Sequence, residues 1–230
     1  MNEMSIREAS YLPYGLFFTY LVEFFRIART PTQPQLAEMS AWFWFTSCTL
    51  HFGGASTGDI TRELINVREF AHGNRNQLFA RSQIDVSRLL YDKFSLKNAS
   101  STAFALLLLS IRPNLTLSGK PIDLDVIGEK NSKVFGRLAP ADLTDLNISV
   151  VLDPHKRRQN LGIQEELLSD HLLNNECIAA LENDDTEIFV NSRSAIISEL
   201  VEGATGCRTT YNYETFSYNP TDWESEDTDD

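Results

Sequence analysis

Hydrophobic positions along the first half of the chain recur at helical spacing. Leu12, Phe17, Leu21, Phe24 and Phe25 predict a helix over residues 14–28, with Pro13 in its first turn, where a missing N–H costs nothing. "TPTQP" interrupts the pattern. Residues 36–52 are then apolar on every side, which predicts a second, buried helix ended by Gly53-Gly54. Ile60, Leu64, Val67 and Phe70-Ala71 share a face of a third helix, with Ser56 or Thr57 as its cap and Gly73 as its stop. "RSQIDVSRLLYDKFS" and "SSTAFALLLLSIRP" predict two more helices around a polar turn at residues 97–100.

After Pro113 the texture changes. Turn residues and short alternating stretches predict loop with small strands, of which "NISVVL" is the best formed. Helices are predicted over residues 163–173 and 185–201, the latter aligning Ile188, Phe189, Ser192, Ile196 and Leu200. From residue 207 the chain is polar, acidic and dotted with aromatics, which predicts disorder. The expected fold is mainly α: a helical domain over residues 1–113, a small α+β domain over 114–206, and an acidic tail over 207–230.

Composition narrows the picture. Apolar residues make up 42% and charged residues 23% of the chain, as in ordinary globular proteins. Three widely spaced cysteines, Cys48, Cys177 and Cys207, suit neither a disulfide framework nor a zinc cluster and imply a reducing compartment. The apolar run near the start is broken by Pro13, Gly15, Glu23 and Arg26, so neither a membrane span nor a signal peptide is expected. The expected location is the cytoplasm. A net charge of −12, seven units of it between Glu214 and Asp230, argues against an autonomous DNA-binding domain.

Candidate chemistry is sparse. The quartet Trp42, Phe43, Trp44, Phe45 has no lysine or arginine between Arg29 and Arg62, so it reads as core and not as a base-stacking or membrane surface. The four histidines, His51, His72, His155 and His171, stand at least 16 residues apart, without the paired spacing of a metal site. No nucleophile elbow, P-loop or dinucleotide fingerprint is present. "DPHKRRQN" is the densest basic cluster. Its Lys156, Arg157 and Arg158 read equally as a phosphate-binding site or as a solvated turn.

Taken in order, "YLPYGLFFTYLVEFF", "MSAWFWFTSCTLHFGGAS", "SSTAFALLLLSIRPNLTLSGKPIDLD" and "LSDHLLNNECIAALENDDTEIFVNSRSAIISELVEG" resemble the C-terminal half of GmrSD-type restriction endonucleases and related anti-phage proteins. Trp42–Trp44, Phe52–Gly54, Leu117–Ile122, Asp170–Leu173, Asp184-Asp185 and Phe189–Ile197 carry the likeness, over roughly residues 10–205. The resemblance implies that residues 114–206 form an HNH-like nuclease domain. That family places a His-His-Ile-Phe-Pro motif where this chain reads "LDVIGEKNSKVFGRL", without a histidine. Asn147 and Asn160 stand at the places of family asparagines, and without a general base they position phosphate or metal at most. The domain is therefore expected to be degenerate. Asp125 and Glu129 remain as substitutes for the base, though nothing in the sequence supports either.

The leading expectation is a non-catalytic or impaired C-terminal component of a GmrSD-like system, a partner subunit or split-gene remnant. The implied partner is a protein carrying the nucleotide-handling half, with weak DNA contact through Lys156, Arg157 and Arg158 and no membrane. No cofactor is expected. The first alternative is an active endonuclease using Mg²⁺, with His155 as a relocated base beside Asn147 and Asn160. The second is an acidic interaction protein.

Overall fold

The computed structural model describes residues 12–91, 98–111, 166, 168–183 and 185–212. Among them the chain is mainly helical. Helix α1 spans Leu16–Ile27, α2 Gln33–Cys48 and α3 Thr57–Ala71. Strand β1 (Gln83–Asp85) and short helix α4 (Ser87–Tyr91) follow, then α5 (Ala99–Ile111). A 3-10 turn at Ser169–His171 precedes α6 (Asn175–Glu182), α7 (Thr186–Thr205) and β2 (Arg208–Thr210).

Caps explain where these helices begin. Thr32 accepts the Gln35 backbone N–H, and the Gln35 side chain returns a bond to the Thr32 N–H at 3.0 Å. This box starts α2 three residues before the apolar pattern does, with Pro34 tolerated in the first turn. Ser56 and Asp59 close the same box at the head of α3. Asp85 accepts the backbone N–H and hydroxyl of Ser87, at 2.9 and 2.6 Å, where the chain turns from β1 into α4. Asp185 caps α7 through the Ile188 N–H at 3.0 Å.

Helix α2 ends at Cys48, ahead of the glycines expected to stop it. Leu50 adopts a left-handed conformation with φ 55°, and Gly54 follows with φ 80°. Gly53 donates its N–H to the Leu50 carbonyl, and a Cβ at Gly53 would lie 3.0 Å from that oxygen. The glycine pair therefore shapes the turn after the helix. Helix α3 ends as expected, with Gly73 at φ 80°.

Three expectations are corrected. "RSQIDVSRLLYDKFS" is a strand and a short helix among its described residues, because Ile84 is buried between exposed Gln83 and Asp85 while β1 pairs with β2. The described part of the helix expected at residues 163–173 is a 3-10 turn, stopped by Leu172 at φ 54°. The tail expected from residue 207 opens with folded residues: Cys207 is buried, and β2 lies parallel to β1 with Ile84 opposite Thr209.

A single hydrophobic cluster runs from Leu12 to Cys207. Helix α3 packs on α1, α5 on α2 and α4, and α7 on both α2 and α6. The described residues after 166 thus share a core with those before 112. "NISVVL" lies outside the described residues. No described helix is long and apolar enough to cross a membrane.

Candidate functional site

Two of the segments that carry the family likeness meet where α7 lies on α2. Phe189, Arg193, Ile197 and Val201 follow one another at four-residue spacing along α7, and all four are fully buried. Residues four apart in a helix stack on one face. This face overlaps the one expected, since Phe189 and Ser192 are buried and Ile196 and Leu200 pack against the core, but Ile188 stands 45% exposed. The arginine disguised it: a charged residue in an apolar ladder shifts the apparent stripe toward Ile196 and Leu200. Helix α2, which packs on α7, carries fully buried Trp42, Phe43, Thr46 and Ser47.

Burial of the Arg193 guanidinium lowers its pKa to about 10, with the nearby Cys177 sulfur acting in the opposite sense. Its neighbourhood is polar for a core. Ser194 is fully buried and accepts from the Tyr91 hydroxyl at 3.0 Å. Ser192 donates to Glu176 at 2.7 Å. A buried guanidinium offers planar paired donors to a carboxylate or phosphate.

The aromatic quartet is core, as its lack of flanking cations predicts. Trp42 makes edge contacts with Phe17 and Tyr20 at ring distances of 5.6 and 5.7 Å. Its indole N–H donates to Glu63 at 2.7 Å, tying α2 to α3. Phe45 is the outermost member, stacked on Phe79 at 4.3 Å, and the Arg81 guanidinium lies 4.1 Å above the Phe79 ring. A cation therefore does reach the quartet's edge, from a part of the chain far from it in sequence.

Arg81 is committed elsewhere as well. Its two terminal nitrogens donate to the two Glu38 oxygens at 3.0 and 2.6 Å, and Glu38 also accepts the Leu78 N–H at 2.7 Å. Both oxygens of this buried carboxylate accept hydrogen bonds, which holds it in place as an ion-pair partner. Composition gave no hint of Glu38 or Glu63, since an isolated glutamate in a helical stretch reads as surface.

His155, Asn147, Asn160, Lys156, Arg157 and Arg158 all lie outside the described residues, so the structure neither gathers nor separates them. His51 and His72 are exposed, and His51 packs against the Phe45 and Phe52 rings. Among the described residues no three His, Cys, Asp or Glu side chains group as a metal site requires. Cys48, Cys177 and Cys207 are unpaired as disulfides and buried, and burial pushes the Cys48 thiol up to about 12. A thiol held protonated in this way is not a nucleophile. No family model, curated protein or solved structure matches the chain.

Proposed function

We propose that the chain is a non-catalytic or impaired C-terminal component of a GmrSD-like restriction or anti-phage system. It works with a nucleotide-handling domain outside these 230 residues. The observation that carries this reading is the junction of α2 with α7. Trp42–Trp44 and the Phe189, Arg193, Ile197 ladder, from the second and last segments of the resemblance, belong to one core. Residues that maintain a shared scaffold are expected to be those that persist when a catalytic motif is lost.

The absence of histidine from "LDVIGEKNSKVFGRL" supports loss of nuclease chemistry, because hydrolysis of a phosphodiester needs a base to activate water. In this reading the degenerate HNH-like domain lies within residues 114–206, with α7 packed into the core of α2, and Lys156, Arg157 and Arg158 make salt-sensitive contacts with DNA phosphates. The chain's contribution is then to hold its partner and DNA together.

The test is a supercoiled-plasmid assay with Mg²⁺ or Mn²⁺, run beside co-purification with a GmrSD-like nucleotide-handling domain. No nicking and a stable complex are expected. Metal-dependent nicking that disappears in His155→Ala replaces this reading with an active endonuclease. A chain that retains no such domain is not a subunit of this kind.

A further inference from the structure

Three of the large hydrophobic side chains exposed among the described residues fall on one stripe of α1. Phe18, Val22 and Phe25 are 56%, 50% and 39% exposed. Their i, i+4, i+7 spacing places them together, around the helix from buried Phe17, Tyr20, Leu21 and Phe24. Spacing of this kind is how a helix presents anchors to a binding partner. Cations stand at one end of the stripe: the Arg26 side chain is 64% exposed, and Arg29 is exposed too. The neighbouring carboxylate, Glu23, is already held by Arg26 and Arg68 at 2.7 and 2.6 Å. On a chain of net charge −12, this face is apolar with a positive surplus.

We propose that the Phe18, Val22, Phe25 face of α1 is the docking site for the chain's own acidic segment, residues 213–230. Its composition is complementary to that face. Phe216, Tyr218 and Trp223 supply apolar anchors, and the segment carries seven carboxylates with no lysine or arginine. Its point of departure is also right. Asn212, the last described residue, donates its backbone N–H to the Ser87 hydroxyl at 2.9 Å. Arg88, which follows Ser87, acts electrostatically on Tyr14, whose hydroxyl pKa is raised by burial and partly restored by the Arg88 charge. Tyr14 leads straight into α1. The acidic segment therefore leaves the fold at Ser87, whose neighbour Arg88 is within electrostatic range of the residue that leads into α1.

Reach is ample, since these residues extended span up to roughly 60 Å and α1 is about 18 Å long. Tethering keeps the local concentration of the segment high, so a small apolar stripe suffices where two separate proteins would need a larger interface. A partner that uses α1 must first displace the segment, which makes the contact autoinhibitory. The inference does not depend on the restriction-protein reading.

The experiment uses the full chain with Val22→Cys carrying a benzophenone photo-crosslinker. The native cysteines are buried, so the label goes to position 22. Photolysis followed by digestion and mass spectrometry should place the cross-links within residues 213–230 of the same chain. Their yield should fall several-fold between 50 mM and 1 M salt, and several-fold again when Phe18→Ser and Phe25→Ser are added. A label at Ile65→Cys, exposed on α3, should give none of these products. Cross-links to a second copy, to other segments, or to nothing overturn the proposal, as does a yield indifferent to the two serine substitutions.

Discussion

Glu38 and Arg81 form a two-armed ion pair at 3.0 and 2.6 Å that fastens the segment after α3 onto α2. The carboxylate is nearly buried while the guanidinium is about one-third exposed, with side-chain exposures of 9% and 31%. The two ends therefore differ in what their loss leaves behind. Glu38→Ala strands the Leu78 N–H and one cation, whereas Arg81→Ala strands a buried anion. Each substitution should lower stability by about 2–4 kcal/mol. Urea denaturation of the two single variants and the double variant should show strong non-additivity, the double losing much less than the sum.

Arg193→Ala should be among the most damaging single changes, costing about 3–5 kcal/mol. It removes a large, fully buried side chain from the centre of α7 and takes charge out of a packed polar neighbourhood. Arg193→Lys should recover little of that loss, because a flexible ammonium does not replace a planar fork. Thermal unfolding of the pair of variants checks both statements.

Ser47→Ala should do the opposite. The Ser47 hydroxyl is buried on α2 and has no hydrogen-bond partner among the described residues. Removing an unsatisfied polar group leaves stability unchanged or raises it by up to about 1 kcal/mol. A midpoint that falls would show that the hydroxyl is satisfied after all.

Acid sensitivity should report on Glu23. Its pKa is lowered from the ordinary 4.5 to about 2 by hydrogen bonds from Arg26, then Arg68. Between those values the unfolded chain binds a proton at this site and the folded chain does not, so stability rises with pH across that window. The contribution is present in full above pH 4.5 and lost as pH falls toward 2. Glu23→Gln should flatten the dependence in that window and leave its shape near neutrality unchanged, as read from urea midpoints at stepped pH.

What the sequence makes legible depends on how local the cause is. The cap at Ser56, one of two candidates, the Gly73 stop and the aromatic core of α2 rest on residues within one or two helical turns, and all three are found. Strand β1 is hidden because three residues carry no readable period, and its partner lies at Arg208–Thr210. Arg193 is hidden for another reason: only the packed helices around it reveal that a charged residue occupies a core position. Of the candidate site, the chemistry read at His155, Asn147, Asn160 and Lys156–Arg158 rests on sequence. The structure adds the scaffold of α2 and α7, which composition does not disclose.

The pairing of Ile84 with Thr209 also sets an order of events during synthesis. Helices α1 and α3 can pack on each other as soon as both emerge, but β1 waits for Arg208–Thr210 to leave the ribosome. Closing so long a loop is slow relative to helix formation. Until then Ile84 and its backbone groups are an open edge, available to chaperones or to another nascent chain. Expression yield should therefore respond to substitutions at Thr209 and Thr210 more sharply than equilibrium stability does.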